Sequence, residues 1–203
     1  MFTGVAGVLL AAGQGSRFGR PKALVELDGQ TLAERGVATL LAGGADPILV
    51  VTGAAQVALA PEHEVHTVYN GEWRTGMGSS LRAALRSPVL SQDVGAVVVA
   101  LADQPLVGAE AVSRLIAAYQ AGAGVAVAGY DGRPRNPVLL AREHWPEVIA
   151  MATGDQGARA FLRARPDLVT LVECGDTGRP DDIDTPADLE HIAIRRPGSP
   201  SCG

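Results

Sequence analysis

The stretch Val8–Leu24, VLLAAGQGSRFGRPKAL, decides how the rest of the chain is read. It opens as an apolar run, passes into small residues punctuated by Gly13, Gly15 and Gly19, and closes on Lys22 and two further apolar residues. A short continuous apolar run is what a strand buried on both faces of a sheet requires. Glycines directly after such a strand let the backbone pass close to a ligand and aim its amides there. Ser16, Arg17 and Lys22 add donors and positive charge. Of the 17 lysines and arginines, Lys22 is the sole lysine. A compact ammonium on a flexible stem suits a mobile polyphosphate better than a planar guanidinium does. A plain surface turn would use glycines too; the lysine is what points to phosphate. The spacing follows neither the phosphate-loop pattern nor GxGxxG, because Phe18 stands where the third glycine belongs.

Working outward, apolar runs alternate with segments of helical spacing. Strands are expected at Gly4–Ala12, Pro47–Gly53, Glu64–Asn70, Val94–Ala102, Gly124–Tyr130, Asn136–Ala141 and Leu168–Cys174. Helices are expected at Thr31–Gly44, Ser79–Ser87, Gly108–Gly122, Gly154–Arg165 and Thr185–Arg195. Thr31 followed by Glu34 forms a capping-box pattern, and Thr185 followed by Pro186 reads as a cap with proline at the first helical position. Such alternation predicts an α/β fold with a mostly parallel sheet, whose ligands collect beyond the carboxyl ends of the strands. One domain is expected over 1–196, with 197–203 as a flexible tail.

Composition narrows the functional classes. The chain has 203 residues, a net charge of −5 and a pI near 5.3, which disfavours a broad grip on nucleic acid. Four per cent aromatic content leaves the core to alanine, valine and leucine. No apolar stretch reaches the roughly 18 residues of a spanning helix. The apolar start lacks a basic flank and reads as the first strand rather than a signal peptide. Cys174 and Cys202 have no metal-ligand spacing and read as free thiols of a reducing compartment, which points to the cytoplasm. His63, His66, His144 and His191 likewise show no ligand spacing.

Three further stretches bear chemistry. In VVVALADQPLV, Val97–Val107, a buried strand ends on Asp103. A carboxylate at the ligand edge of a sheet is placed to hold a hard cation such as magnesium; a turn aspartate is the other reading. DDIDTPADL, Asp181–Leu189, crowds acids that repel unless solvated or cation-bound; Asp184 stands directly before the cap. NGEWRTGMGSSLRAAL, Asn70–Leu85, offers Gly76, Gly78, Ser79 and Ser80 at a helix start, suited to polar ligand edges or to ordinary capping.

Taken in order, LLAAGQGSRFGRPKAL, GMGSSLRAAL, LADQPLV, NPVLL, GDQGARAFL and DIDTPADL resemble the MobA-like NTP-transferase family, most nearly its molybdenum-cofactor cytidylyltransferase branch. The resemblance runs from about Leu9 to Leu189. It implies a Rossmann-like nucleotide-diphospho-sugar transferase fold, a mostly parallel central sheet flanked by helices. It implies magnesium-dependent transfer of a nucleoside monophosphate, with CTP favoured by LAAG and GTP the alternative. By position, Leu10, Ala11, Ala12, Gly13, Gly15 and Ser16 would surround the nucleotide, with Arg17 and Lys22 on its phosphates. Gly76, Met77, Ser79 and Ser80 would meet base and ribose. Asp103 and Asp184 would hold the metal, so that Lys22, Arg17 and Asp103 carry the catalysis. Asn136 and the loop with Gly154 and Asp155 would face a small phosphorylated acceptor such as molybdopterin. A molybdoenzyme or its chaperone is the implied protein partner; no nucleic acid or membrane is implied. Pro134 and Arg135 depart from the basic residue and glycine usual before NPVLL, a change that alters the turn on the acceptor side and leaves the acceptor's identity open. The alternatives are a sugar-phosphate or phospholactate nucleotidyltransferase and a noncatalytic nucleotide-binding regulator. A dehydrogenase fits less, since its dinucleotide fingerprint is imperfect.

Overall fold

A computed structural model of the chain describes residues 4–59, 65–90 and 93–194. The expected tail 197–203, with Cys202, lies outside these residues, as do His63, Arg195 and Arg196. The chain opens with β1 (Gly4–Leu10), whose residues after Gly4 are all buried. Beyond the glycine loop comes a small antiparallel hairpin, β2 (Glu26–Leu27) and β3 (Gln30–Thr31). Its two loop residues, Asp28 and Gly29, have φ of 55° and 77°, the conformation a tight hairpin demands and a residue pair suited to it. α1 (Leu32–Ala42) follows, closed by the Thr31–Glu34 capping box that the sequence suggests.

The remaining elements are β4 (Ile48–Thr52), β5 (Val65–Tyr69), α2 (Met77–Leu85), β6 (Val94–Leu101), α3 (Ala109–Gln120), β7 (Val125–Tyr130), β8 (Arg133–Ala141), α4 (Trp145–Met151), α5 (Arg159–Ala164), β9 (Val169–Glu173) and α6 (Pro186–Ile194). Seven strands form one sheet in the order β5-β4-β1-β6-β8-β7-β9. Only β8 runs against the others: it pairs antiparallel with β6 and β7, while every other pairing is parallel. The fold is therefore the α/β architecture expected, a mostly parallel sheet flanked by helices.

Alternate residues of β1 point to opposite faces, and each face has its own core. Ala6, Val8 and Leu10 pack with Leu81 and Leu85 of α2, Trp145 and Val148 of α4, and Phe161 of α5. Val5 and Leu9 pack on the other face with Val37 and Leu40 of α1 and Val112 and Leu115 of α3. Truncating a fully buried side chain such as Leu9 would cost about 2–5 kcal/mol. A third, smaller core matters for the site. Val25, Leu27 and Leu32 enclose Ile183 and Ile192, which fastens the C-terminal segment over the hairpin that follows the glycine loop.

Several boundaries differ from expectation. The helix expected over Gly154–Arg165 is broken: a single 3-10 turn, Gly154–Gln156, precedes Gly157 at φ 52°, and only Arg159–Ala164 is α-helical. The strand expected from Asn136 starts at Arg133, joined to β7 by the two-residue turn Asp131–Gly132. Pro137 is tolerated because the ladder shifts register opposite Val127, so the missing amide falls at a bulge. α4 is an addition that the sequence reading did not anticipate.

Candidate active site

In the order of the sheet, the chain leaves β1 toward β4 and β5 on one side and returns to β6 on the other. The crevice beyond β1 and β6 is thus the switch point at which an open α/β sheet admits a ligand. Into it run the loop after β1 and the segment after β6.

Local hydrogen bonds shape the first of these. Gly15 accepts from the amides of Phe18 (2.8 Å) and Gly19 (3.0 Å), folding the loop back on itself. Gly15 has φ 63°, and a Cβ there would collide with the carbonyl of Arg20. Pro21 then leads into one 3-10 turn, Lys22–Leu24, which returns Lys22 to the crevice. Its Nζ donates to Asp103 Oδ2 at 2.9 Å and to Asp184 Oδ1 at 2.5 Å. Burial opposes the charge of Lys22, but the two carboxylates outweigh it and hold the ammonium above its ordinary pKa. The side chain is only 18% exposed. Asp184 also receives Arg17 Nη1 at 3.3 Å, on the exposed outer side. The amide of Ile183 donates to the carbonyl of Asp103 at 2.8 Å, so the two acids are joined by backbone as well as through the lysine. Thr185 and Asp188 cap α6 just behind, with Asp188 Oδ2 accepting from the amides of Asp184 (3.0 Å) and Thr185 (2.7 Å).

A cavity of about 550 Å³ opens over these residues. Leu10, Ala11, Ala12, Gly13, Gly15 and Ser16 all line it, as do Lys22, Asp103, Gly76, Met77, Ser80 and Asp155. Other expected residues are placed otherwise: Arg17 and Asp184 stand outside its lining, joined to it through Lys22, and so do Ser79, Asn136 and Gly154. The Ser79 hydroxyl is spent on the carbonyls of Glu72 (3.0 Å) and Gly76 (2.8 Å), closing the turn before α2. Gly154 does not line the cavity; its backbone lies where a Cβ on Gly76 would fall. Buried Asn70 donates to both Ser79 Oγ (2.8 Å) and Ser80 Oγ (3.0 Å), leaving the Ser80 proton free to point elsewhere. Trp73 and Arg74 also line the cavity, with the guanidinium 4.3 Å from the indole centre. Sequence reasoning passed over this pair; a tryptophan beside a glycine turn, in a chain with two tryptophans, was the available signal.

A second cavity of about 920 Å³ adjoins the first, and Met77 lines both. Asn136, Gln104 and Asp182 face it, with Gln104 Nε2 donating to Asp182 Oδ1 at 2.9 Å. Burial, together with Asp103 and Asp184 nearby, pushes the Asp182 carboxyl up, against the bond from Gln104 and the pull of Lys22.

The donor set suits a hard divalent cation only in part. Among the described residues no group of three or more His, Cys, Asp or Glu could hold a metal. Two carboxylates meeting at one point do fit magnesium, which is commonly held by one or two carboxylates and completed by substrate phosphates and water. Glycine loop and ammonium, with a cation on the acid pair, can together hold a polyanion against the sheet edge.

A crevice of this kind, at the switch point of an open α/β sheet and lined by a glycine loop, is suited to a nucleotide. The chain belongs to the family of the MobA-like NTP transferase domain, whose model matches residues 7–169. It is 38% identical over 191 residues to the Nicotine blue oxidoreductase of Paenarthrobacter nicotinovorans, covering 89% of this chain and 92% of that one. It is 33% identical over 129 residues to a probable molybdenum cofactor guanylyltransferase of Opitutus terrae, covering 63% and 62%. Among solved structures, a Mycobacterium tuberculosis Rv0371c homologue from Mycobacterium sp. strain JC1 superposes with a TM-score of 0.78 at 28% identity, covering 94% and 95%. Among the described residues, no helix is long and apolar enough to cross a membrane.

Proposed function

We propose that the protein moves a nucleoside monophosphate, CMP from CTP in the first instance, onto the phosphate of a small acceptor of the molybdopterin kind. Pyrophosphate is released, in the cytoplasm, and a molybdoenzyme or its chaperone receives the product. The convergence of Asp103 and Asp184 on Lys22, beside the glycine loop, is the observation that carries this reading. The base preference rests on the Leu10-Ala11-Ala12-Gly13 run, and GTP is the competing nucleotide.

Amides of the Gly13–Ser16 backbone would cradle the phosphates, with Lys22 and Arg17 meeting their charge. Asp103 and Asp184 would hold magnesium, which when bound neutralises triphosphate charge and polarises the phosphoryl oxygens. The acceptor lies in the second cavity, past Asn136 and Gln104. Its phosphate oxygen forms the new bond to the α-phosphorus as the bond to the β-phosphate oxygen breaks. That oxygen is already ionised at neutral pH, so no protein base is required. Positioning and charge stabilisation do the catalysis.

The test is pyrophosphate release with magnesium, crossing the four nucleoside triphosphates with molybdopterin, sugar-phosphate and phospholactate acceptors. Release with CTP and molybdopterin is expected; no release with any pair would refute nucleotidyl transfer. The 38% identical relative is named for a redox activity. A parallel assay that follows the colour of nicotine blue shows whether this chain shares it.

A further inference from the structure

The second cavity is electrically divided. Arg135 of β8 and Arg159 and Arg163 of α5 line it, the last two one helical turn apart and so on one face. Among the described residues none of the three is within an ion pair. Arg163 has a neutral partner, donating to Gln156 Oε1. The acids of the same cavity are engaged elsewhere: Asp181 pairs with Arg179 at 3.3 Å, and Asp182 is held by Gln104 beside the lysine and its acids. Val138, Leu162 and Val169 supply apolar lining. Three guanidiniums gathered on one cavity repel one another, and an anion relieves the repulsion. Their planar forks match the two oxygens of a carboxylate or phosphate.

We propose that this arginine wall holds a second anionic group of the acceptor, separate from the phosphate that attacks, with an apolar body between the two. The acceptor is then charged at two places. This rests on the second cavity being the acceptor side.

The test is calorimetric binding of phenyl phosphate and, separately, benzoate to the full chain without nucleotide or magnesium. Both probes join one anion to an apolar ring, and whichever binds more tightly identifies the anion as phosphate or carboxylate. The variants are R135Q/R159Q and, as a reference at the neighbouring cavity, K22A. The arginines are exposed, and an unchanged melting temperature checks the fold. The double variant is expected to weaken binding of the preferred probe by more than about fivefold while K22A weakens it by less. Neither probe binding at millimolar concentration, a smaller loss in the double variant, or an equal loss in K22A would each overturn the proposal. Turnover plays no part, so the outcome stands apart from the pyrophosphate assay.

Discussion

Lys22 Nζ lies within hydrogen-bonding distance of both Asp103 and Asp184, residues drawn from the middle and the far end of the chain. A side chain so placed is expected to matter more for reaction than for folding. Lys22→Ala should lower the rate of pyrophosphate release by about 10²-fold or more, the scale of losing a charge stabiliser in a transition state. A rate within about threefold of native would remove Lys22 from the mechanism.

The same ammonium gives a pH signature. Its folded pKa is raised above the ordinary 10.5, so its stabilisation is complete below that value and is lost as pH climbs through the higher folded value. Lys22 is the sole lysine, but burial also raises the Cys174 thiol and pushes the Tyr130 phenol up to about 12, so both contribute to the alkaline loss of stability as well. Urea midpoints measured between pH 9 and pH 12 should fall in the native protein, and the part of that fall on the alkaline side of 10.5 should be smaller in Lys22→Met.

Asp103→Asn and Asp184→Asn keep shape and remove charge. Each should raise the magnesium concentration needed for half-maximal pyrophosphate release by at least about tenfold. Unchanged magnesium dependence in both variants would place the metal elsewhere.

Asn70 is 4% exposed and bonds Ser79, Ser80 and the amide of Glu72. Asn70→Ala leaves the buried Ser80 hydroxyl without this donor and takes one bond each from Ser79 and the Glu72 amide, and should cost about 1–3 kcal/mol in urea unfolding. If Ser80 meets the base, KM for the nucleotide should rise more than kcat falls. Gly76→Ala faces two obstacles, φ of 106° and the backbone of Gly154, so a loss of about 1–3 kcal/mol is expected. Its cavity should also distort, and a nucleotide-binding titration reads that separately.

The sheet was legible because its strands obey simple burial. β1 and β6 are apolar at nearly every position, and only a strand covered on both faces needs that. The hairpin of β2 and β3 escaped notice because two-residue strands carry no period, although its Asp-Gly turn is in plain view. α5 was drawn too long because Gly154, Asp155 and Gln156 read as a polar helix start with no proline to forbid it, and only the backbone reveals the positive φ at Gly154 and Gly157 that interrupts it. Lys22, Asp103 and Asp184 could be picked out singly from residue type and position. Their meeting depends on Ile183 seated among Val25, Leu27 and Leu32, a packing choice with no local signature. The division of labour between Ser79 and Ser80 was equally hidden, since neighbours on a helix point about 100° apart and spacing does not say which one faces the crevice.

That small core around Ile183 also sets a timetable. A growing polypeptide carries its lysine and its first acid long before the segment bearing the second has been made, and the ammonium then has one neighbour instead of two. The candidate crevice is completed by a segment made after every strand of the main sheet, so a product terminated before Asp184 would have the whole sheet yet lack the second carboxylate beside Lys22.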